Sequence, residues 1–284
     1  MSSATSANRY FVPEPSHWPL VGSVALLTLA FGAVLTFNSV GGGGFVLMAG
    51  FAILLVMLFG WFGRVIGESE GGKYNEQVDR SFRWAMSWFI FSEVMFFVAF
   101  FGALFYARVL SVPEIGSAEQ AILWDGFKAA WPTAGPGYKG EFSPMHAWGI
   151  PAINTALLLS SGVTLTWAYW GLIAGKRQQL ILGLALTIVL GLVFLSLQIY
   201  EYREAYSHLN LKLSTGIYGS TFYMLTGFHG FHVTLGATML IVIFLRTLKG
   251  HFTAERHYAF EAVAWYWHFV DVVWVGLFIV VYWL

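Results

Sequence analysis

Seven long apolar stretches dominate this sequence and restrict it to one kind of fold. A helix that crosses a bilayer needs about 20 apolar residues, because the hydrocarbon core is about 30 Å thick and each residue rises about 1.5 Å. The stretches are too long and too evenly apolar for the alternating strands of a membrane barrel, so we predict an all-α polytopic membrane protein with seven transmembrane helices. The predicted spans are residues 18–37, 45–63, 82–106, 151–173, 180–199, 213–245 and 258–284.

Composition excludes several classes of protein. Only 11% of the 284 residues are charged, against about 25% in ordinary soluble domains, which excludes a soluble enzyme. The 15 basic residues equal the 15 acidic ones, so no positive excess is present to bind nucleic acid. The absence of cysteine excludes disulfides, iron–sulfur clusters and thiolate-bridged copper. A metal would need histidine or carboxylate ligands, and no span carries the spaced histidine pairs of haem-binding bundles.

The segments between the spans indicate domain boundaries and orientation. Residues 1–17 are polar and contain two prolines, without the basic start and apolar centre of a signal peptide, so we expect the mature chain to keep them. We predict a charged inside loop at 67–81 and a long outside loop at 110–150. Ten lysines and arginines lie on the side of the N-terminus and five on the other, which predicts the N-terminus inside and the C-terminus outside.

Two spans carry stripes of small residues at every fourth position. In a bilayer, close backbone approach and van der Waals packing hold helices together. We therefore predict that these faces pack against neighbouring helices. The stripes are Ala156, Ser160, Thr164 and Ala168 on the fourth span, and Gly183, Thr187 and Gly191 on the fifth.

Ionisable residues inside the spans are the candidate functional residues, because a carboxylate at the bilayer centre costs about 2.5–3.5 kcal/mol. Glu93 lies midway along the third span among phenylalanines, so desolvation favours its neutral acid unless a donor such as His229 or His232 meets it. Two interpretations stay open: a proton relay or ion pathway, and the favoured one, a hydrogen-bond network that fixes helix register. The predicted buried network consists of Glu93, His229, His232, Glu261, His268 and Asp271.

Six motifs in a fixed order extend over nearly the whole chain. They are PSHWPL at 15–20, SEVMFFVAFF at 92–101, PAINTALLLSSGVTLTWA at 151–168, QIYEY at 198–202, YGSTFYMLTGFHGFHVTLG at 218–236 and HYAFEAVAWYWHFVDVVW at 257–274. The last two combine glycine, histidine, tryptophan and acidic residues in a way that chance similarity between apolar helices does not produce. On these motifs the chain resembles subunit III of the haem–copper cytochrome c oxidases.

The resemblance implies a non-redox subunit of an aa3-type cytochrome c oxidase, the respiratory complex that reduces O2 to water and pumps protons. Haem and copper would lie in partner subunits, with subunits I and II as the partners of this chain. In that family the first two spans, 18–66 here, lean away from the other five, 82–284, and leave a V-shaped cleft filled with structural phospholipid. Glu93 falls at the family's buried glutamate. The expected roles are to stabilise the catalytic subunit, bind lipid and support proton uptake, in a bacterial inner membrane.

A lipid site is predicted at the inside ends of the spans. Arg246 and Lys249 lie three residues apart at the end of the sixth span, where a basic pair can meet a phosphate while acyl chains lie along apolar helices. The resemblance adds Trp61 and Glu68 across the cleft. The alternative is the ordinary positive charge of an inside loop.

The sequence departs from the family pattern at two places. Family members often have Gly-x-His-Thr after the second span, where this chain has Gly-Lys-Tyr-Asn at 72–75, and often a histidine pair where it has Tyr169 and Trp170. No role of those histidines carries over. A quinol oxidase subunit is an alternative, although that relative usually lacks the first two spans. An independent proton-coupled transporter using Glu93 is a further alternative, but neither the inverted repeat nor the broken helices of transporters is found.

Overall fold

The computed structural model describes residues 11–117, 119–138 and 140–284, and across these residues it is helical, without strands. Seven of the described helices are long and apolar enough to cross a membrane, which confirms the predicted fold class. They are α1 (Trp18–Phe37), α2 (Gly43–Glu70), α3 (Glu76–Phe105, continued by a π-helix over Tyr106–Ser111 and a turn over Val112–Ile115), α4 (Ile150–Ile173), α5 (Arg177–Ser207), α6 (Gly216–Leu248) and α7 (Tyr258–Leu277, ending in a π-helix over Phe278–Trp283). Arg9 and Lys139 of the charge count, and most of the predicted N-terminal segment, lie outside the described residues.

Three helices, α2, α3 and α5, extend beyond the apolar stretches that predict them. Both α2 and α3 extend into the charged segment 67–81, so the prediction of a loop there was wrong at both ends, and only residues 71–75 connect the two helices. Polar residues stabilise the start of α3: the side chain of Asn75 accepts a hydrogen bond from the Val78 backbone N–H (3.0 Å), as an N-cap does. Because α3 reaches Ile115, the predicted outside loop also begins later, at residue 116.

The chain divides into two compact units, one ending at Phe82 and the other covering Arg83–Leu284, so that the division falls within α3. In the first unit, α1 and α2 form a helical hairpin with closely approaching backbones. A Cβ added to Gly50 would lie 2.7 Å from the backbone nitrogen of Leu29, and one added to Gly32 would lie 2.5 Å from that of Leu47. A larger residue at either position would force the helices apart.

In the second unit, α4 packs against α5, α5 against α6, and α7 against both α6 and α4. Parts of the two stripes of small residues face each other between α4 and α5. Thr164 Oγ1 lies 2.8 Å from Thr187 Oγ1, and a Cβ added to Gly183 would lie 2.7 Å from the Cβ of Ala168. These contacts confirm the predicted packing face at Thr164, Ala168, Gly183 and Thr187, whereas Ala156 and Ser160 are exposed and Gly191 packs against Trp267 of α7.

Trp267 of α7 fills the centre of the second unit. Its side chain is fully buried, and a Cβ added to Gly191 of α5 or to Gly236 of α6 would lie only 2.7 Å or 2.9 Å from its ring. The indole N–H donates a hydrogen bond to Ser161 Oγ of α4 (2.8 Å). One side chain therefore joins four helices with its polar edge satisfied, as a buried indole requires.

The connection between α3 and α4 covers the start of α6. The rings of Trp131 and Phe142 pack against the ring of Tyr218. The carbonyl of Thr133 accepts a hydrogen bond from the Tyr218 backbone N–H (3.2 Å). Because the first N–H groups of a helix have no partner within it, this connection satisfies a group that would otherwise be unpaired.

Candidate functional site

A glutamate and a histidine meet near the midpoints of α3 and α6. Glu93 Oε2 lies 2.8 Å from His232 Nε2. The other ring nitrogen, Nδ1, lies 2.6 Å from the backbone carbonyl oxygen of Phe228. A carbonyl only accepts, so Nδ1 carries a hydrogen and donates it. The Glu93 carboxyl and Nε2 then share one further proton, either as neutral acid and neutral imidazole or as an ion pair.

Aromatic rings surround this pair. Phe97 contacts the imidazole of His232 edge-on, with ring centroids 5.0 Å apart. The ring of Tyr266 is stacked with the same imidazole, with ring centroids 6.4 Å apart. Phe89 stacks in turn on Tyr266. The side chains of His232 and Glu93 are only 8% and 22% exposed. The shared proton therefore lies in surroundings of low polarity, where a hydrogen bond is stronger than in water.

His229, the second candidate partner of Glu93, has a different role. It is buried, and its Nε2 lies 3.1 Å from the backbone carbonyl oxygen of Val270 in α7. Because the acceptor is a carbonyl, Nε2 carries the hydrogen. His229 therefore ties α6 to α7, whereas His232, three residues later, ties α6 to α3.

Glu261, at the start of α7, pairs with two basic side chains. Its Oε2 forms an ion pair with Arg83 of α3 and lies 3.8 Å from His257 Nε2. Arg83 also lies over the ring of Tyr258, 5.6 Å from its centroid. From the sequence, Arg83 was counted only among the basic residues on the side of the N-terminus, because nothing in the local pattern links it to Glu261, 178 residues later.

Asp271 and His268, one turn apart on α7, form a third polar contact. His268 Nδ1 lies 3.5 Å from Asp271 Oδ2, and His268 Nε2 lies 3.4 Å from Thr166 Oγ1 of α4. Asp271 is buried, whereas the side chain of His268 is 44% exposed. This contact holds α7 against α4.

The structure does not join the six predicted residues into one network. They form four separate contacts, and only Glu93 and His232 meet each other across helices. Within residues 11–117, 119–138 and 140–284, no group of three or more histidine and acidic side chains is arranged to hold a metal ion.

The two predicted lipid-binding residues of the first unit differ in their surroundings: one is an exposed indole, and the other is a carboxylate that already accepts hydrogen bonds. Trp61 is 42% exposed on α2. Glu68 accepts hydrogen bonds from Arg64 Nε (3.2 Å) and from the Tyr74 hydroxyl (2.9 Å). Burial, followed by the hydrogen bond and negative charge of Glu68, raises the pKa of the Tyr74 phenol above its ordinary value. The carboxylate of Glu68 is thus already engaged by its own unit.

The two predicted lipid-binding cations at the end of α6 also differ, because one is buried and the other is exposed. Arg246 is buried, with its guanidinium 4.6 Å from the ring centroid of Phe252 and its Nε 3.5 Å from His251 Nδ1. Lys249 is exposed. Of the two predicted cations, Lys249 is the one that reaches the surface.

One buried acid, Glu201, was not predicted from the sequence. The predicted fifth span ended at residue 199, but α5 continues to Ser207 and buries Glu201 completely. Its Oε1 accepts a hydrogen bond from the Tyr282 hydroxyl (2.7 Å). The signal available in the sequence was the QIYEY motif, whose glutamine and glutamate lie three apart and therefore on one helix face.

This arrangement defines a class: an integral membrane protein of seven helices whose intramembrane histidines and acids bond to one another and to neighbouring helices. Comparison with known proteins narrows the class. The family model of cytochrome c oxidase subunit III matches residues 8–284, and the chain therefore belongs to the cytochrome c oxidase subunit III family. The resemblance carried by the six motifs is confirmed.

Individual relatives agree over the full length. Cytochrome c oxidase subunit 3 of Marchantia polymorpha is 42% identical over 282 residues, covering 99% of this chain and 98% of that protein. The protein of the same name from Cyprinus carpio is 40% identical over 281 residues, with the same coverage. That of Chondrus crispus is 40% identical over 284 residues, covering 100% and 96%. As a family member, the chain is a subunit of a multi-subunit oxidoreductase complex.

Proposed function

We propose that this chain is the non-redox subunit III of an aa3-type cytochrome c oxidase, which stabilises the catalytic subunit I beside subunit II, binds structural phospholipid and supports proton uptake. Haem and copper belong to the partner subunits. We further propose a bacterial inner membrane with the N-terminus inside and the C-terminus outside. The excess of lysine and arginine on the side of the N-terminus supports this orientation.

One observation carries the proposal of a non-redox role. Two histidines in the middle of the second unit have both ring nitrogens engaged by protein groups: His232 by a carbonyl and by Glu93, and His268 by Asp271 and Thr166. His229 bonds through Nε2 to the Val270 carbonyl. Histidines that ligate a metal keep one ring nitrogen for the metal. These side chains instead connect α3, α4, α6 and α7, as a stabilising subunit requires.

Affinity purification tests this function. We expect a tagged chain, extracted in mild detergent, to bring down a haem-containing complex that consumes O2 with reduced cytochrome c as donor. After dissociation in stronger detergent, the chain alone should retain neither haem nor copper, measured by absorption spectrum and metal analysis. Stoichiometric haem on the isolated chain, or its purification without any haem protein, would contradict the proposal. Activity with a quinol but not with cytochrome c would instead identify the quinol oxidase alternative.

For lipid binding, we propose that Lys249 supplies the exposed charge at the end of α6, with Arg246 as a buried neighbour. In the first unit, the exposed indole of Trp61 is of the kind that lies at headgroup level, and Glu68 contributes by holding Arg64. A basic residue near an anionic membrane surface contributes about 1 kcal/mol.

We therefore expect Lys249→Ala to lower the anionic phospholipid retained by the purified complex about fivefold, and Arg246→Ala with Lys249→Ala to lower it further. Mass spectrometry of the extracted lipid measures the effect. The matched control is Lys176→Ala, an exposed lysine immediately before α5, which should leave the lipid content unchanged. Equal lipid content in all three variants would show that these charges serve only topology.

A further inference from the structure

A second buried acid lies near the C-terminal end of α5, away from the Glu93 pair. Glu201 is 0% exposed. Its Oε1 accepts a hydrogen bond from the Tyr282 hydroxyl at the end of α7 (2.7 Å). Its other oxygen, Oε2, is buried without a hydrogen-bond partner. A fully buried carboxyl with one unpaired oxygen is rare in folded proteins and calls for a physical explanation.

Glu201 makes no ion pair with any described lysine, arginine or histidine. The titratable side chains close enough to interact with it are phenols, Tyr202 of α5, Tyr223 of α6 and Tyr282 of α7. An ionised carboxylate buried without a partner charge costs several kcal/mol. The neutral acid avoids that cost, so burial favours the protonated form.

The donor and acceptor roles in the hydrogen bond with Tyr282 indicate which oxygen of Glu201 carries the proton. With the Tyr282 hydroxyl as the donor, Oε1 accepts and is the carbonyl oxygen of the neutral acid. The hydroxyl of the acid is then Oε2, a donor that needs an acceptor, and no hydrogen bond of normal geometry joins it to a described protein atom.

Further buried polar atoms without a hydrogen bond of normal geometry lie at this level of the second unit. Gln198, one turn before Glu201 on the same face of α5, is 4% exposed; it lies close enough to Glu201 and Tyr282 to interact with both, but neither its Oε1 nor its Nε2 makes a hydrogen bond of normal geometry. Asn154 of α4 is fully buried with both side-chain atoms unpaired. The antiparallel contact of Thr164 with Thr187 brings Asn154 to the level of Gln198. Buried waters bond to about three such groups each.

We propose that Glu201 is a permanently buried, protonated carboxylic acid that, together with Gln198, binds ordered water between α5 and the end of α7, with Asn154 as a further partner. The ligand is water, held by the Oε2 hydroxyl and the Gln198 amide. The site holds one exchangeable proton and is distinct from the Glu93–His232 pair. It does not depend on the proposed function of the subunit.

Infrared spectroscopy of the whole purified complex tests the protonation. We expect the difference spectrum between the unmodified complex and Glu201→Gln to contain one carbonyl stretch of a neutral carboxylic acid, above the amide band, which shifts down in D2O. The matched control is Glu204→Gln, one turn further along α5, which should not remove this band. A carboxylate band lost in Glu201→Gln would overturn the proposal.

A second variant keeps the carboxyl in place. Tyr282→Phe removes the hydroxyl that donates to Oε1, so the same acid band should move to higher frequency rather than disappear. This result is decisive even where Glu201→Gln fails to assemble. An unchanged band position in Tyr282→Phe would contradict the assignment of Oε1.

A high-resolution map of the complex tests the water. We expect density about 2.5–3.0 Å from Glu201 Oε2 and within hydrogen-bond distance of the Gln198 amide, which is lost in Gln198→Leu. An empty cavity at this position would overturn the proposal, and so would a metal cation identified there by elemental analysis.

Discussion

Replacing Trp267 with alanine is expected to lower the free energy of unfolding of the second unit by about 3 kcal/mol. Its ring lies against Gly191 and Gly236, and its N–H bonds to Ser161, so the variant leaves a cavity and removes the hydrogen bond that the indole donates, while the Ser161 hydroxyl keeps its bond to the Leu158 carbonyl. Because lipid is as apolar as a helix surface, the lost packing between helices matters here more than transfer from water.

The measurement is the temperature at which the subunit dissociates from the purified complex. Trp170→Ala is the matched control, because Trp170 is a tryptophan of α4 that is 63% exposed, and we expect it to leave this temperature almost unchanged. If both variants lower the temperature equally, the central packing described for Trp267 does not determine the stability of the subunit.

Substitutions of Glu93 can distinguish a structural role of the Glu93–His232 pair from a role in proton transfer. We favour the structural role and expect Glu93→Gln to be mild, because the amide N–H can donate to His232 Nε2 and preserves the shape of the side chain. Glu93→Ala leaves that nitrogen buried without a partner, which costs about 1–3 kcal/mol. We therefore expect the alanine variant to lose part of its subunit III during purification, whereas the glutamine variant keeps it.

Oxygen consumption and proton release by the whole complex provide the measurement, with subunit retention checked on a gel. The control is Glu114→Gln, an exposed acid at the far end of α3. An amide cannot carry a proton, so a proton relay would make glutamine as damaging to turnover as alanine. A Glu93→Gln complex that retains the subunit but no longer pumps protons would refute the structural role.

Apolar length alone was sufficient to predict the seven helices, because lipid imposes a minimum span on each. It could not predict where the helices end. Hydropathy falls at the first charged residues, while the backbone of α5 continues through Glu201 to Ser207, because a helix satisfies its own hydrogen bonds on both sides of the membrane surface. The buried acid at Glu201 was missed for this reason.

Partner choice depends on helix rotation, which no single sequence contains. Glu93 was recognisable from its position among phenylalanines, but His229 and His232 were equally good partners for it. In the structure, Glu93 contacts His232, whereas His229 contacts the backbone carbonyl of Val270. The pairing of Glu261 with Arg83 likewise depends on how α3 and α7 are placed, and this contact joins residues far apart in the sequence.

The two histidines of α6 also limit how this helix can move. Residues three apart in a helix differ by about 60° around its axis, and here one holds α7 while the other holds α3. A screw motion of α6 by one residue, about 100° and 1.5 Å, would break both attachments at once. Any movement that the complex imposes on α3 near Glu93 must therefore carry α6 and α7 with it as one rigid piece.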